Sequence, residues 1–413
     1  MPYKKFLLTA APLFLIIFID GMGLGLIFPI LNSLIMDPSS HFLAANYSPH
    51  TRNFIFGFIV SIFMLCWFFG SAVLGDLSDQ IGRKKSLMIC LLGNFVGYFI
   101  SALGVTFSSL SLLLFGRIVA GFTSGSQSIA QAAIIDISDP QHKARNIGMI
   151  LFATTLGFVF GPLIGGFFSD PRLLAWFTFS TPLYFAAVFS LINAGLLFFY
   201  FHETFTHIHK VSFKLHRAIE IILSAFKNHK VRDLSIIMLV MILGWSSFYS
   251  FISMFLLRRY GFTTTDVALF MALMSVGFSL GTGFLVQFFS KRFALKNVTA
   301  AGFIISALFM FITGSITHAL VAWICIVPIG AALAMSYSSL LTMFSNQVDA
   351  DSQGWVMGIT GSIMALGFGI DGLIVGVLST MSVVLPIFIA AFGVGLSAVM
   401  VYRWRNGFPP ARE

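Results

Sequence analysis

Long apolar runs dominate this sequence and constrain its fold more than any other feature. Of its 413 residues, 58% are hydrophobic and 9% are charged, which leaves too few polar side chains to cover a soluble protein. A helix of about 20 apolar residues crosses the hydrocarbon core of a bilayer. The sequence therefore predicts an all-α membrane protein with twelve transmembrane helices, near residues 7–34, 53–74, 86–105, 110–134, 146–168, 173–200, 234–257, 264–288, 297–317, 319–344, 355–378 and 381–402.

The basic residues between these runs predict the orientation of the chain. Lys and Arg accumulate in cytoplasmic loops of membrane proteins, and 19 of the 24 lie in the termini and in the loops on their side, against four on the other side. We therefore predict a multi-pass protein of the cell inner membrane with both termini cytoplasmic. The net charge of +9 then favours contact with anionic membrane lipids, and nucleic-acid binding is a poor interpretation of it.

Two pairs of similar segments indicate an internal duplication. The loop after the second span contains Gly75, Asp79, Gly82, Arg83 and Lys84, and a weaker copy follows 208 residues later as Gly283, Gln287, Ser290, Lys291 and Arg292. LGFVFGPLIGGFFS (156–169) also resembles LGFGIDGLIVGVLS (366–379), at a shift of 210. Repeated halves of this kind are typical of secondary transporters. We predict two pseudo-symmetric six-helix bundles, residues 1–201 and 234–413.

The hydrophilic stretch 202–233 is the predicted cytoplasmic linker between the bundles. Apolar residues recur in it at helical spacing among basic ones, which predicts a helix lying on the inner membrane surface: Phe213, Leu215, Ile219, Ile222, Leu223 and Phe226. The stretch also contains His202, His207, His209 and His216. With no cysteine and few acidic residues nearby, these histidines are expected to be solvated, and we predict no metal site.

Three charged residues lie inside predicted spans: Asp20, Arg117 and Asp371. A charge in the membrane is costly and normally marks a functional residue or a buried pair. Counting about 1.5 Å per helical residue, Asp20 and Arg117 reach similar depths in the first half. They could neutralise each other, and protonation of the carboxylate would then release the arginine, as a proton-coupled switch requires. A permanent structural ion pair is the alternative.

Asp371 aligns with Gly161 in the repeat, so a position without a side chain in one half holds a carboxylate in the other. No basic residue lies in its own span. We expect this carboxylate to carry a proton or to meet a cationic substrate; an aspartate solvated in a water-filled cavity is the alternative.

The fifth span is rich in residues that allow helices to approach closely and bend: Gly157, Gly161, Pro162, Gly165 and Gly166. These residues could serve as a gating motif. Tight packing without any associated motion is the alternative interpretation.

Four motifs, in order along the chain, resemble those of the major facilitator superfamily. The loop at Gly75 is similar to the family signature between the second and third helices, with Gln80 in place of a basic residue. Residues 113–138 (LLFGRIVAGFTSGSQSIAQAAIIDIS) and 156–166 (LGFVFGPLIGG) resemble the fourth and fifth helices of bacterial drug:proton antiporters, especially tetracycline-efflux-like members. Residues 19–31 (IDGMGLGLIFPIL) are similar to their first-helix motif. Tetracycline exporters also carry an acidic residue in the ninth helix, which residues 297–317 lack.

The resemblance implies a transporter that works by alternating access and exports a hydrophobic or amphipathic small molecule in exchange for protons. It implies that the loop at Gly75 is a cytoplasmic latch and that Asp20 and Arg117 couple transport to protons. Import of a metabolite, siderophore or other nutrient with protons is the alternative, and a receptor or lipid scramblase on the same fold is a remote one. We expect a monomer with no cofactor besides the proton gradient, and no enzymatic activity, because no catalytic constellation is visible.

Overall fold

The computed structural model describes residues 3–44, 46–138, 143–204, 216–349 and 353–404, and in these ranges it contains helices but no β-strand. The α-helices in these ranges are α1 Tyr3–Met36, α2 Pro49–Ile81, α3 Arg83–Thr106, α4 Leu110–Thr123, α5 Ser126–Asp136, α6 Lys143–Phe167, α7 Thr181–Tyr200, α8 His216–Lys227, α9 Arg232–Tyr260, α10 Thr264–Leu280, α11 Val286–Ser290, α12 Leu295–Ser315, α13 Ala319–Ser345, α14 Gln353–Leu378 and α15 Leu385–Arg403. A π-helical turn, Gly281–Leu285, joins α10 to α11.

The twelve predicted spans are confirmed. Ten helices in the described ranges are long and apolar enough to cross a membrane. The fifth span is α6, whose apolar part is Phe152–Phe167. The fourth consists of α4 and α5, which are separated at Ser124 and Gly125. A β-carbon at Gly125 would lie 2.7 Å from the Cα atom of Ser71, so the break lies where the chain meets the backbone of α2.

The sixth span begins later than predicted, at Thr181 rather than near residue 173. The segment before α7 forms a turn instead. The Asp170 carboxylate accepts a hydrogen bond from the backbone N–H of Arg172 at 3.0 Å and forms an ion pair with the Arg172 guanidinium at 2.6 Å. Pro182 stands in the first turn of α7, where its missing N–H is tolerated. Hydropathy alone does not detect this turn, because its flanking residues are apolar.

The two bundles repeat the same helix packing. In the first, α1 packs against α6 and α7, α3 against α4 and α7, and α2 against α4. In the second, α9 packs against α14 and α15, α12 against α13 and α15, and α10 against α13. The bundles meet where α2 packs against α14 and where α6 packs against α10. Because α10 is the counterpart of α2 and α14 is the counterpart of α6, these two contacts are equivalent. The structure is therefore pseudo-symmetric, as the sequence repeat predicts.

The linker helix α8 touches both bundles, because it packs against α2 as well as α9 and α14. Ala218 and Ala225 on one face are fully buried, whereas Ile219 and Leu223 are about half exposed. Trp355 at the start of α14 donates its indole N–H to the hydroxyl of Ser224 at 3.1 Å. An amphipathic helix is thus present where the linker was predicted. The predicted helix residues Phe213 and Leu215, and His207 and His209, lie outside the described residues.

We call the end of the molecule at which α1 begins and α15 ends the terminal side, and the other end the opposite side. Polar contacts join the bundles at the opposite side: Asn32 Nδ2 to Ser253 O (3.1 Å), Ser33 Oγ with Thr264 Oγ1 (2.6 Å), Arg258 Nη2 to Asn53 Oδ1 (2.9 Å) and Thr265 Oγ1 to Asp170 Oδ2 (2.8 Å). We call this set the opposite-side clasp.

The terminal halves of the inter-bundle helices are less tightly packed. A β-carbon at Gly57, on the opposite-side half of α2, would overlap the carbonyl oxygen of Gly372 on α14. By contrast, β-carbons at Gly75, Gly358 and Gly361, on the terminal halves of the same two helices, would have no atom within 4 Å. The structure is therefore closed at the opposite side.

Candidate functional site

Asp20 lies midway along α1 and only 7% of its surface is exposed. Its carboxylate accepts hydrogen bonds from Ser126 Oγ at 2.6 Å and from Asn94 Nδ2 at 3.4 Å. Asn94 is held in turn by the hydroxyl of Thr123, which donates to Asn94 Oδ1 at 2.8 Å. A serine hydroxyl can donate to a carboxylate or accept from a carboxylic acid. These neutral partners can therefore accommodate Asp20 with or without a proton.

Arg117 does not pair with Asp20, so the predicted ion pair is wrong for this structure. The Arg117 guanidinium instead lies over the ring of Phe63, 3.9 Å from its centroid. The side chain is 2% exposed, and its Nε and Nη1 atoms have no hydrogen-bond partner among the described residues. Because Ser126 and Asn94 satisfy the carboxylate and Phe63 faces the cation, the two charges are stabilised separately.

Asp371 lies in α14 and is 3% exposed, so it is not a solvated aspartate in this structure. Ser247 of α9 donates to its Oδ1 atom at 2.5 Å, and its Oδ2 atom has no partner in the described part of the chain. Gly161, its counterpart in the repeat, faces the equivalent helix: a β-carbon there would lie 2.5 Å from the carbonyl oxygen of Met22 on α1. The second half thus places a carboxylate where the first half has a helix–helix contact.

An aromatic cluster connects α9 to the neighbouring helices α1, α10 and α14. Tyr249 of α9 contacts Phe368, one turn before Asp371, at a centroid distance of 6.2 Å, and Phe28 of α1 at 5.0 Å. Trp245 contacts Tyr249 at 5.6 Å and Phe278 at 5.3 Å. Both side chains are largely buried, with 7% of Trp245 and 8% of Tyr249 exposed. These five residues are the central aromatic cluster, and it joins helices of both bundles.

Sequence reasoning missed this cluster. The available signals were weak: Trp245 and Tyr249 stand four residues apart, on one face of a helix, and Phe368 is one turn from Asp371. With 49 Phe in the chain, such spacings also describe rings that face lipid. Only the packing of α1, α9, α10 and α14 shows which five aromatic residues form the cluster.

The loop at Gly75 forms a polar junction on the terminal side. Arg83 donates from Nη1 to Asp79 Oδ1 at 2.7 Å and to Ser78 Oγ at 2.6 Å. Its Nε atom lies 3.5 Å from the carboxylate of Asp136 at the end of α5. The junction therefore connects α2, α3 and α5. Gly75 itself faces open space and makes no close helix contact.

Glu203 completes this junction, although sequence reasoning did not select it. Its carboxylate accepts from the backbone N–H groups of Arg83 at 2.8 Å and Lys84 at 3.1 Å, at the start of α3, where a helix attracts negative charge. Gly82 has a φ of 101°, and a β-carbon there would overlap Glu203. Lys84 donates to the carbonyl oxygen of Phe198 in α7 at 2.8 Å. The junction thus also includes the end of α7.

The glycines of the fifth span bring α6 into contact with the backbone of α1. β-carbons at Gly157 and Gly161 would lie 2.5 Å from carbonyl oxygens of α1, and one at Gly165 would overlap such an oxygen; the partners are Phe18, Met22 and Leu26. Pro162 packs against Gly25 of α1 in the same contact. Gly166 differs, because it faces Ala268 of α10 in the other bundle. The α1 segment that carries Asp20 is therefore fixed by α6.

Two pseudo-symmetric membrane bundles with charged side chains buried among their spans are the architecture of many membrane transporters. The sequence profile of the Major Facilitator Superfamily matches residues 13–371. The chain belongs to this family, whose members are membrane transporters and not enzymes.

Two known proteins are similar to this chain in sequence. It is 34% identical to the class C tetracycline resistance protein of Escherichia coli over 187 residues, which are 45% of this chain and 43% of that protein. The match thus spans less than half the length of this relative. Multidrug resistance protein 2 of Bacillus subtilis (strain 168) is 25% identical over 94% of the chain and 93% of its own length.

The crystal structure of a D-xylose–proton symporter superimposes with a TM-score of 0.74 at 17% identity, covering 97% of this chain and 98% of that one. At this identity the likeness concerns the fold alone.

Proposed function

We propose that this chain exports hydrophobic or amphipathic small molecules across the cell inner membrane in exchange for protons. The observation that carries the proposal is the environment of Asp20: a carboxylate buried midway along a span and held by neutral groups. Such a group can take up and release a proton without breaking an ion pair. Arg117 and Asp371 are the other charged groups of the proposed coupling machinery, with roles in charge balance and in substrate or proton binding.

The pseudo-symmetric contacts between the bundles support alternating access as the mechanism. Rocking of one bundle against the other would exchange a structure closed at the opposite side for one closed at the terminal side. The excess of basic residues in the loops of the terminal side supports a cytoplasmic location for that side, so we take the present structure to face inward. The junction of Gly75, Asp79, Gly82, Arg83 and Lys84 would then stabilise the outward-facing state as a cytoplasmic latch.

The direction and the substrate class are proposed from the relatives. Proteins named for tetracycline resistance and for multidrug resistance match this chain, which supports export of a drug-like compound. The central aromatic cluster offers apolar surface without fixed hydrogen-bond geometry, as a broad substrate range needs. We expect the transporter to act as a monomer among membrane lipids, with the proton gradient as its driving force.

Proton movement during downhill substrate flow tests this proposal. The purified protein in liposomes would be given neutral, cationic and zwitterionic compounds: chloramphenicol, ethidium and norfloxacin. Antiport predicts that entry of a transported compound drives protons out of the vesicle, as read by an enclosed pH indicator. Protons entering together with the compound would establish symport instead, and compound entry without proton movement would exclude proton coupling.

A further inference from the structure

We propose that α5 transmits proton binding at Asp20 to the cytoplasmic latch, with Ser126 and Asp136 as the positioning residues at its two ends. The inference rests on the proposed function, in which Asp20 exchanges protons and the latch stabilises the outward-facing state. It adds the element that connects these two sites, which lie at different depths of the first bundle.

The first residue of α5 binds Asp20. Ser126 Oγ donates to Asp20 Oδ2 at 2.6 Å, and both side chains are buried. A hydrogen bond to a charged carboxylate is about twice as strong as one between neutral groups, and the start of a helix attracts negative charge. No basic side chain of the described residues forms an ion pair with Asp20. Binding of a proton by Asp20 would therefore weaken the attachment of α5 to α1.

The last residue of α5 contacts the latch. Asp136 lies about 15 Å from Ser126 along the helix axis, and its carboxylate is 3.5 Å from Arg83 Nε. The same guanidinium also donates from Nη1 to Asp79 at 2.7 Å and to Ser78 at 2.6 Å, both on α2. The contact with Asp136 is the longest of the three and hence the weakest. A small displacement of α5 would break it first.

The break in the fourth span allows α5 to shift separately from α4. The helix is interrupted at Ser124 and Gly125. The α4 side of this break is fixed, because Thr123 and Ser124 donate to Asn94 Oδ1 at 2.8 and 3.4 Å. The buried face of α5 is apolar and includes the small side chains of Ala130 and Ala133, which impose no directional bonds. The polar contacts that join α5 to other helices lie at its two ends.

The direction of this coupling agrees with antiport. Uptake of an external proton by Asp20 would release the start of α5 and weaken the contact between Asp136 and Arg83. The latch would then hold the outward-facing state less firmly, and the population would shift towards the inward-facing state, from which the proton leaves to the cytoplasm. Coupling between two sites is reciprocal, so loss of the Asp136 contact would also change the proton affinity of Asp20.

Hydrogen–deuterium exchange of the purified full-length protein in detergent tests the inference without measuring transport. The readouts are the backbone amides of residues 131–136, at the end of α5, and 79–85, in the latch. Ser126→Ala should speed exchange in both segments about fivefold or more, because the start of α5 is released. Asp20→Asn should act in the same direction but less, since its bond to Ser126 loses the charge. The double variant should exchange no faster than Ser126→Ala alone, because both changes act on one contact.

Ser128→Ala is the matched control. Its hydroxyl lies on the same helix but donates to the carbonyl oxygen of Gly125 at 3.2 Å instead of to Asp20. This variant should leave exchange in the latch unchanged. Asp136→Asn should reproduce the faster exchange in the latch, because it removes the carboxylate that contacts Arg83.

Three results would overturn the inference: unchanged latch exchange in Ser126→Ala, an equal increase in Ser128→Ala, or additive effects in the double variant. If Ser126→Ala does not fold, unchanged latch exchange in Asp20→Asn overturns it. The proposed function fails separately. Proton-coupled transport with unchanged latch exchange would reject only this inference, whereas the expected exchange pattern without any proton movement during substrate flow would reject only the proposed antiport.

Discussion

At the scale of single residues, the molecule stabilises its buried charges in three different ways. Asp20 is held by neutral hydrogen-bond donors, Arg117 by an aromatic face, and Asp371 by one serine hydroxyl. The last two keep polar atoms without partners. A buried polar group that lacks a partner destabilises a fold by about 1–3 kcal/mol. Residues of this kind are therefore better explained by function than by stability.

Arg117→Met tests this interpretation. Methionine fills a similar volume and can pack against Phe63, but it carries no charge to desolvate. We expect the variant to unfold at the same temperature as the wild type or a higher one, while transport in proteoliposomes is lost. A thermal midpoint several degrees lower, measured in detergent, would show that Arg117 is mainly structural.

At the scale of helices, the contact between α1 and α6 is the tightest feature near Asp20. Gly157, Gly161 and Gly165 recur every four residues and bring the two backbones together. Their spacing could be predicted from the sequence, but their partners could not, because small residues at this spacing are common in membrane helices. The break between α4 and α5 and the late start of α7 were also beyond sequence reasoning, since they depend on the backbone of α2 and on the Asp170–Arg172 turn.

Gly161→Ala should separate these helices. The added methyl would lie 2.5 Å from the carbonyl oxygen of Met22, and such overpacking typically destabilises a protein by about 1–3 kcal/mol. We expect a lower thermal midpoint and reduced transport. Gly195→Ala in α7 is the matched control, because a β-carbon there would meet no atom within 4 Å. Equal stability of both variants would contradict a close α1–α6 contact.

At the scale of the whole molecule, the repeat predicts two bundles related by pseudo-symmetry, and the packing of equivalent helix pairs agrees with it. The sequence did not predict which end is closed, because the opposite-side clasp joins residues far apart in the chain. Arg172 and Thr265 hold the pKa of Asp170 well below its usual range through hydrogen bonds. Asp170 therefore remains charged at neutral and mildly acidic pH, and its contact in the clasp should not respond to the proton gradient.

Asn53→Ala should weaken the clasp, since the amide oxygen that accepts from Arg258 is removed. We expect the population to shift towards a state open at the opposite side. Ser33→Cys reports this opening, because Ser33 is buried against Thr264 in the closed structure. With Cys66, Cys90 and Cys325 replaced by alanine, a membrane-impermeant thiol reagent should label this cysteine several-fold faster in the Asn53→Ala background. An unchanged labelling rate would exclude the clasp as a determinant of the closed state.

The central claim is that Asp20 exchanges the proton that drives transport, and Asp20→Asn in proteoliposomes tests it most directly. The amide can still bond to Ser126 and Asn94 but cannot bind and release a proton. With whichever compound the wild type transports, we predict that the variant loses uphill accumulation driven by a proton gradient but retains exchange of labelled for unlabelled compound. Asp37→Asn, an exposed carboxylate at the opposite side, should retain both. Uphill accumulation by Asp20→Asn at the wild-type rate would contradict the claim.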